Sequence, residues 1–141
     1  MATLTSCTLK NNNSGSAGGA IYVVDRASQN IPNETDFDLI DPSWEPLTDI
    51  FSSVLVTGSN FENNTAGTNG GAIYVYEGSY AKVVDTKFAG NKAKENGGAV
   101  GVFNKSNAII SNCDFTGNTP DETYKSDNSS KITITETAEN K

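Results

Sequence analysis

A 27-residue repeat is the feature that most constrains this chain. Phe61, Phe88 and Phe115 are spaced by 27 and 27, and Asn64, Asn91 and Asn118 follow each Phe by three residues. Gly70-Gly71-Ala72-Ile73 and Gly97-Gly98-Ala99-Val100 begin nine residues after the Phe. An earlier copy has Leu9 at the Phe position, Asn12 at the Asn position and Gly18-Gly19-Ala20-Ile21 at the same nine-residue offset. Its 52-residue step to Phe61 exceeds one repeat by 25, so the first repeat carries an insertion. Self-similarity at a fixed short period is the mark of units that bury their apolar face only by stacking on one another.

The columns of the repeat show which positions face inward. Three residues after the first Gly stand Ile21, Ile73 and Val100; two further on stand Val23, Val75 and Val102. Tyr22, Tyr74 and Gly101 lie between them and read as positions that tolerate change. This is period-two alternation with one buried face. Leu4, Val56, Val83 and Ile110 form another apolar column, five before the Phe. Cys7, Ser59, Thr86 and Cys113 form a column of small residues two before it. Short strands without a helical period, stacked in register, predict an all-β fold: a right-handed parallel β-helix, or solenoid, of about four coils. The Phe column then fills the interior, the Asn column becomes an amide ladder, and each Gly-Gly pair supplies a φ > 0 corner with close backbone approach. A leucine-rich repeat or a propeller competes, but no Leu-rich consensus or Trp-Asp signature occurs and the unit is too short for a four-stranded blade.

Residues 1–118 are expected to form the β-helix, with a loop insertion at 25–53, and 119–141 a polar C-terminal tail or cap. The tail contains one alternating stretch, Ile132-Thr133-Ile134-Thr135, suited to a last strand. No signal peptide is read, because Met1-Ala2-Thr3 leads straight into patterned sequence. We read the chain as a piece of a longer exported protein, continuous with further repeats, rather than as a cytoplasmic one. No apolar run approaches the ~20 residues that span a bilayer. The net charge is −7 with ten basic residues and no basic cluster, which argues against nucleic acid.

The repeated motifs are Phe-x-x-Asn (FENN 61–64, FAGN 88–91, FTGN 115–118) and Gly-Gly-Ala-Ile/Val (18–21, 70–73, 97–100). They resemble the repeat of the chlamydial polymorphic outer membrane proteins, over residues 1 to about 118. The resemblance implies a passenger segment displayed on the outer membrane and acting in adhesion, at the cell surface or secreted. The chain departs from the pattern at Leu9, at Tyr124-Lys125-Ser126 where Gly and Ala are expected, and in showing no anchoring barrel.

Motif residues that build the coil cannot also touch a receptor, so Leu9, Asn12, Gly18, Gly19, Phe61, Asn64, Gly70, Gly71, Phe88, Asn91, Gly97, Gly98, Phe115 and Asn118 are read as structural. The insertion is the place to look for partner binding. It holds Trp44, the only Trp, and seven acids against one base, Arg26, the only Arg. Trp44, Phe37 and Leu39, with Asp36 and Asp38, are the candidate contacts for a protein or glycan. The alternative is a loop packed on its own coil. Asp36, Asp38 and Asp41 lack the EF-hand spacing for Ca²⁺, and no metal or cofactor is expected.

Catalysis is the rival class, since polysaccharide lyases and glycoside hydrolases share the β-helix fold. The chain has no His, and the column of Asp85 holds Ser6, Gly58 and Asn112 rather than further carboxylates. No enzyme is expected; a purely structural spacer is the third class. Cys7 and Cys113 share a column three coil steps apart, about 14 Å, beyond the ~7 Å a disulfide spans. Both are expected as free thiols. Sequons begin at Asn12, Asn33, Asn63, Asn104 and Asn128, and Asn12 is committed to the ladder.

Overall fold

The computed structural model describes residues 2–24 and 52–135. In chain order the strands are β1 (Ala2–Thr5), β2 (Thr8–Lys10), β3 (Asn13–Ser14), β4 (Ile21–Val24), β5 (Ser53–Thr57), β6 (Asn60–Glu62), β7 (Thr65–Ala66) and β8 (Ile73–Tyr76). They continue as β9 (Tyr80–Val84), β10 (Lys87–Ala89), β11 (Lys92–Ala93), β12 (Val100–Val102), β13 (Asn107–Ser111), β14 (Asp114–Thr116), β15 (Thr123–Lys125) and β16 (Lys131–Thr135). The chain visits four sheets in rotation. The first is ordered β1-β5-β9-β13-β16, the second β14-β10-β6-β2, the third β11-β7-β3 and the fourth β15-β12-β8-β4. Every strand pairing is parallel and in register: Phe88 lies between Phe61 and Phe115, Val83 between Val56 and Ile110, and Val75 between Val23 and Val102. This is a parallel β-helix.

Left-handed backbone positions, stacked in columns, set the corners. Ser6, Gly58, Asp85 and Asn112 have φ of 52°, 55°, 50° and 53° between the first and second sheets. Asn11, Asn63, Gly90 and Gly117 do the same between the second and third, at 55° to 66°. Short polar residues and glycine occupy these columns because few other residues adopt φ > 0 without strain. Each strand therefore ends where its neighbours end, and strands stay two to five residues long.

The core is the stack of inward columns. Val54, Val56, Phe61, Ile73, Val75, Val83, Phe88, Val100, Val102 and Ile110 are almost wholly removed from solvent. Leu4, Leu9, Phe115 and Ile132, toward the two ends, are only partly buried. The ladder continues beyond Asn118: β15 pairs with β12 and β16 with β13. Thr123 meets Val100 after a step of 23 residues instead of 27, so the Gly-Gly pair is absent from this turn. Asp121 fills the space, accepting from Gly97 N–H and Gly98 N–H through its side chain and backbone oxygens. Ser53, read from the sequence as the edge of the insertion, is the first residue of β5 and pairs with Tyr80.

Candidate functional site

The Phe and Asn columns make the interior. Phe61 and Phe88 stack at 5.0 Å with planes 12° apart, and Phe88 and Phe115 at 5.1 Å and 6°. Beside them runs a directional amide ladder. Asn64 Oδ1 accepts from Asn12 N–H (3.0 Å) and Asn12 Nδ2 (2.9 Å). Asn91 Oδ1 accepts in the same way from Asn64, and Asn118 Oδ1 from Asn91. The remaining amide protons reach back: Asn64 Nδ2 to the Leu9 carbonyl, Asn91 Nδ2 to that of Phe61 and Asn118 Nδ2 to that of Phe88, each at 3.0 Å. Each buried Asn thus satisfies backbone groups that the corner would otherwise strand.

The glycine pairs divide two tasks. Gly18, Gly70 and Gly97 hold φ of 66° to 67° at the corner before the fourth sheet. A Cβ on Gly19 would strike the Gly71 carbonyl, and one on Gly71 that of Gly98, so the second glycine allows neighbouring coils to approach.

Two further columns act as small-residue ladders. Cys7 N–H donates to Ser59 Oγ (3.1 Å) and Ser59 N–H to Thr86 Oγ1 (3.4 Å), while the two hydroxyls donate to the carbonyls of Thr57 and Val84. Cys7 and Cys113 are both free, with Ser59 and Thr86 between them in the column. Burial pushes the Cys113 thiol up to about 11, only partly offset by backbone hydrogen bonding at Thr86 and Ser111. At the corner before the first sheet, Ser79 N–H donates to Ser106 Oγ and Ser106 N–H to Ser130 Oγ.

Outside the coil the structure offers an open groove of about 250 Å³, lined by Gly58, Ser59, Asn60, Asp85, Thr86, Lys87, Asn112 and Asp114. Asp85 Oδ1 accepts from Asn112 Nδ2 at 2.5 Å. Among the described residues no group of three or more Cys, Asp or Glu converges as a metal site would require. Asp36, Phe37, Asp38, Leu39, Asp41 and Trp44 lie outside the described residues.

One surface escaped the sequence reading. Tyr22 and Tyr74, which with Gly101 read in the sequence as tolerant of change, belong to a run of aromatic rings on the outward side of the fourth sheet. Tyr22 stacks on Tyr74 at 5.1 Å, and Phe103 and Tyr124 extend the run. Tyrosine one residue after the apolar column in two successive repeats, with Tyr76 and Phe103 two positions on, was the available signal.

The family model for the right-handed β-helix region matches residues 49–138. The model for the Chlamydia polymorphic membrane protein repeat matches residues 6–24. Comparison with curated proteins and with solved structures finds no match. The two family matches fit a surface-associated β-helical segment. Among the described residues no helix is long and apolar enough to cross a membrane.

Proposed function

The chain belongs to the right-handed β-helix family and carries a polymorphic membrane protein repeat in its first coil, and from that premise we propose that it is a non-catalytic, adhesin- or passenger-like segment that binds a host or cell-surface protein or glycan. It is displayed at the cell surface or secreted, as part of a longer repeat-bearing protein. The supporting observation is that the motif residues are consumed by the coil. Phe61, Phe88, Asn64 and Asn91 have no exposed surface, so a partner meets other residues. Those are the outward columns and the 25–53 insertion, where Trp44, Phe37, Leu39, Asp36 and Asp38 are the contacts we favour.

Attachment of beads carrying the chain to host cells tests this. Tyr76 is followed by Glu77-Gly78 and then Ser79, which matches Ser52 after the insertion, so Glu-Gly in place of residues 25–51 restores the regular turn. Beads carrying that variant should attach several-fold less. Equal attachment would remove the insertion from the binding surface, and no attachment by the parent chain would favour a structural spacer. A β-helix polysaccharide lyase or hydrolase is the second reading, because Asp85 and Asp114 share one open groove. Turnover of an acidic polysaccharide with Ca²⁺ would establish it in place of ours.

A further inference from the structure

The outward face of the fourth sheet carries more order than solvent exposure requires. From Tyr22 on β4 the run passes to Tyr74 on β8 (5.1 Å, 22°), to Phe103 just after β12 (5.1 Å, 46°) and to Tyr124 on β15 (5.5 Å, 38°). Tyr76 lies beside Tyr74 at 5.6 Å and 17°. Four strands at ladder spacing make a track about 14 Å long. Its continuity depends on Gly101. That residue follows Tyr22 and Tyr74 in the column, and a Cβ there would lie 2.9 Å from Phe103 Cε2. The absent side chain leaves the Phe103 ring room to lean across the gap toward Tyr124. Tyr22 is 43 % exposed, Tyr76, Phe103 and Tyr124 are half-buried, and Tyr74 at the centre of the run is buried beneath its neighbours at 8 %.

Two carboxylates flank the track. Glu77 directly follows Tyr76, and Glu95 precedes the Gly97 corner, where it accepts from Asn69 Nδ2. Their field reaches the Tyr74 phenol, whose pKa is pushed up to about 12, by burial first, then by Tyr22 and Tyr76 and by the two glutamates. Among the described residues the ion pair is Lys10–Glu62 at 3.5 Å, so neither glutamate is in one.

We propose that this face binds a basic, extended segment of a partner protein, with its Arg or Lys side chains set between the phenol oxygens and Glu77 and Glu95. Aromatic surface beside unpaired carboxylates suits cations, which gain both charge-assisted hydrogen bonds and contact with the rings. A glycan fits less well. Tyr22, Tyr74 and Tyr76 turn flat faces toward one another, and Tyr74 is buried between them, whereas a sugar ring stacks on a free face. The inference rests on the surface-binding reading and gives it a face separate from the insertion.

The probe is a hexa-arginine peptide amide, titrated at 0.15 M salt into the 141-residue chain and followed by calorimetry and by tyrosine ring resonances. Tyr22→Ser with Glu77→Gln and Glu95→Gln should weaken binding at least about tenfold, the equivalent of ~1.4 kcal/mol, with an unchanged circular dichroism spectrum. Glu34→Gln with Glu45→Gln and Asp49→Asn removes three charges from the insertion without touching its candidate contacts and should change binding by less than about twofold if bulk charge is not the cause. Loss of binding in the insertion variant instead, absence of binding by the parent chain, or tyrosine shifts with a neutral hexasaccharide but not with the peptide would each overturn the proposal. Peptide binding that persists in a chain unable to attach to host cells would leave this inference standing and remove the adhesin reading. Attachment without peptide binding would do the reverse.

Discussion

Replacing Asn91 with Ala takes the ladder apart at its middle. The Asn91 side chain makes four hydrogen bonds: Oδ1 accepts from Asn64 N–H and Asn64 Nδ2, and Nδ2 donates to Asn118 Oδ1 and the Phe61 carbonyl. In Asn91→Ala the Asn64 N–H is left without a partner and the Phe61 carbonyl keeps only its β-ladder donor, and Asn64, Phe61 and Asn91 itself have no exposed surface through which water could replace the amide. The stranded Asn64 N–H costs ~1–3 kcal/mol, and each of the other three lost bonds, to groups that keep another partner, ~0.5–1 kcal/mol net. The sum is about 4 kcal/mol, a large fraction of the ~5–15 kcal/mol that holds a domain folded. With a urea slope near ~2 kcal/mol/M, the midpoint should fall by about 2 M. Asn12→Ala is the internal control. It removes one side-chain bond, Nδ2 to Asn64 Oδ1, at an exposed end, and Asn64 Oδ1 still accepts from Asn12 N–H. That change should cost less than ~1 kcal/mol. Urea titration of both variants at equal concentration reads the difference. Two midpoints that agree within experimental scatter would refute the reasoning and show that the corner keeps its hydrogen bonds without the amide.

Phe88→Ala opens the ring stack between Phe61 and Phe115 and should cost ~3–5 kcal/mol in the same titration, with a smaller loss for Phe115→Ala, whose ring is only partly buried. Cys113, raised to about 11, holds well under one per cent thiolate at pH 8, so its alkylation in the native chain should be far slower than in urea. Mass spectrometry of the non-reduced chain should find two free thiols; an intramolecular Cys7–Cys113 bridge would contradict the register. Asp127 is partly buried, which works to raise its pKa, but hydrogen bonds from Ser126, Ser129 and Ser130 hold the carboxyl well below the usual range. Its contribution is then complete above the unfolded carboxylate pKa of ~3.9 and is lost as pH falls through the lower folded value. Asp127→Asn should therefore weaken hydrogen-exchange protection of β16 at pH 7 and converge on the parent chain in strong acid; equal protection at pH 7 would show that the turn does not anchor that strand.

The fold class was legible because stacking forces like residues onto like. Phe88 has to suit both Phe61 and Phe115, so the interior writes its period into the sequence, and a constant offset between Phe and Gly-Gly is enough to read it. The same logic fails where the period changes. The turn after Asn118 is four residues shorter, and Asp121 takes over the bonding at the glycine corner, so a search at constant spacing finds Tyr124-Lys125-Ser126 where the motif should be. The direction of the amide ladder is likewise absent from the sequence, since Asn at every position is compatible with either sense of donation until coordinates assign Oδ1 and Nδ2.

The outward columns are harder still. An outward position is free to vary as far as the coil is concerned, so a functional residue there leaves no period that folding would enforce. Gly101 shows the consequence. In the column Tyr22, Tyr74, Gly101, Tyr124 the glycine reads as loss of an aromatic, yet in space it makes room for the Phe103 ring from the adjacent outward column. The aromatic run is continuous along the axis only when both columns are read together. In a solenoid, then, repeated residues identify the scaffold, whereas a surface assembled from two unlike columns marks a position where something other than stacking has set the side chains.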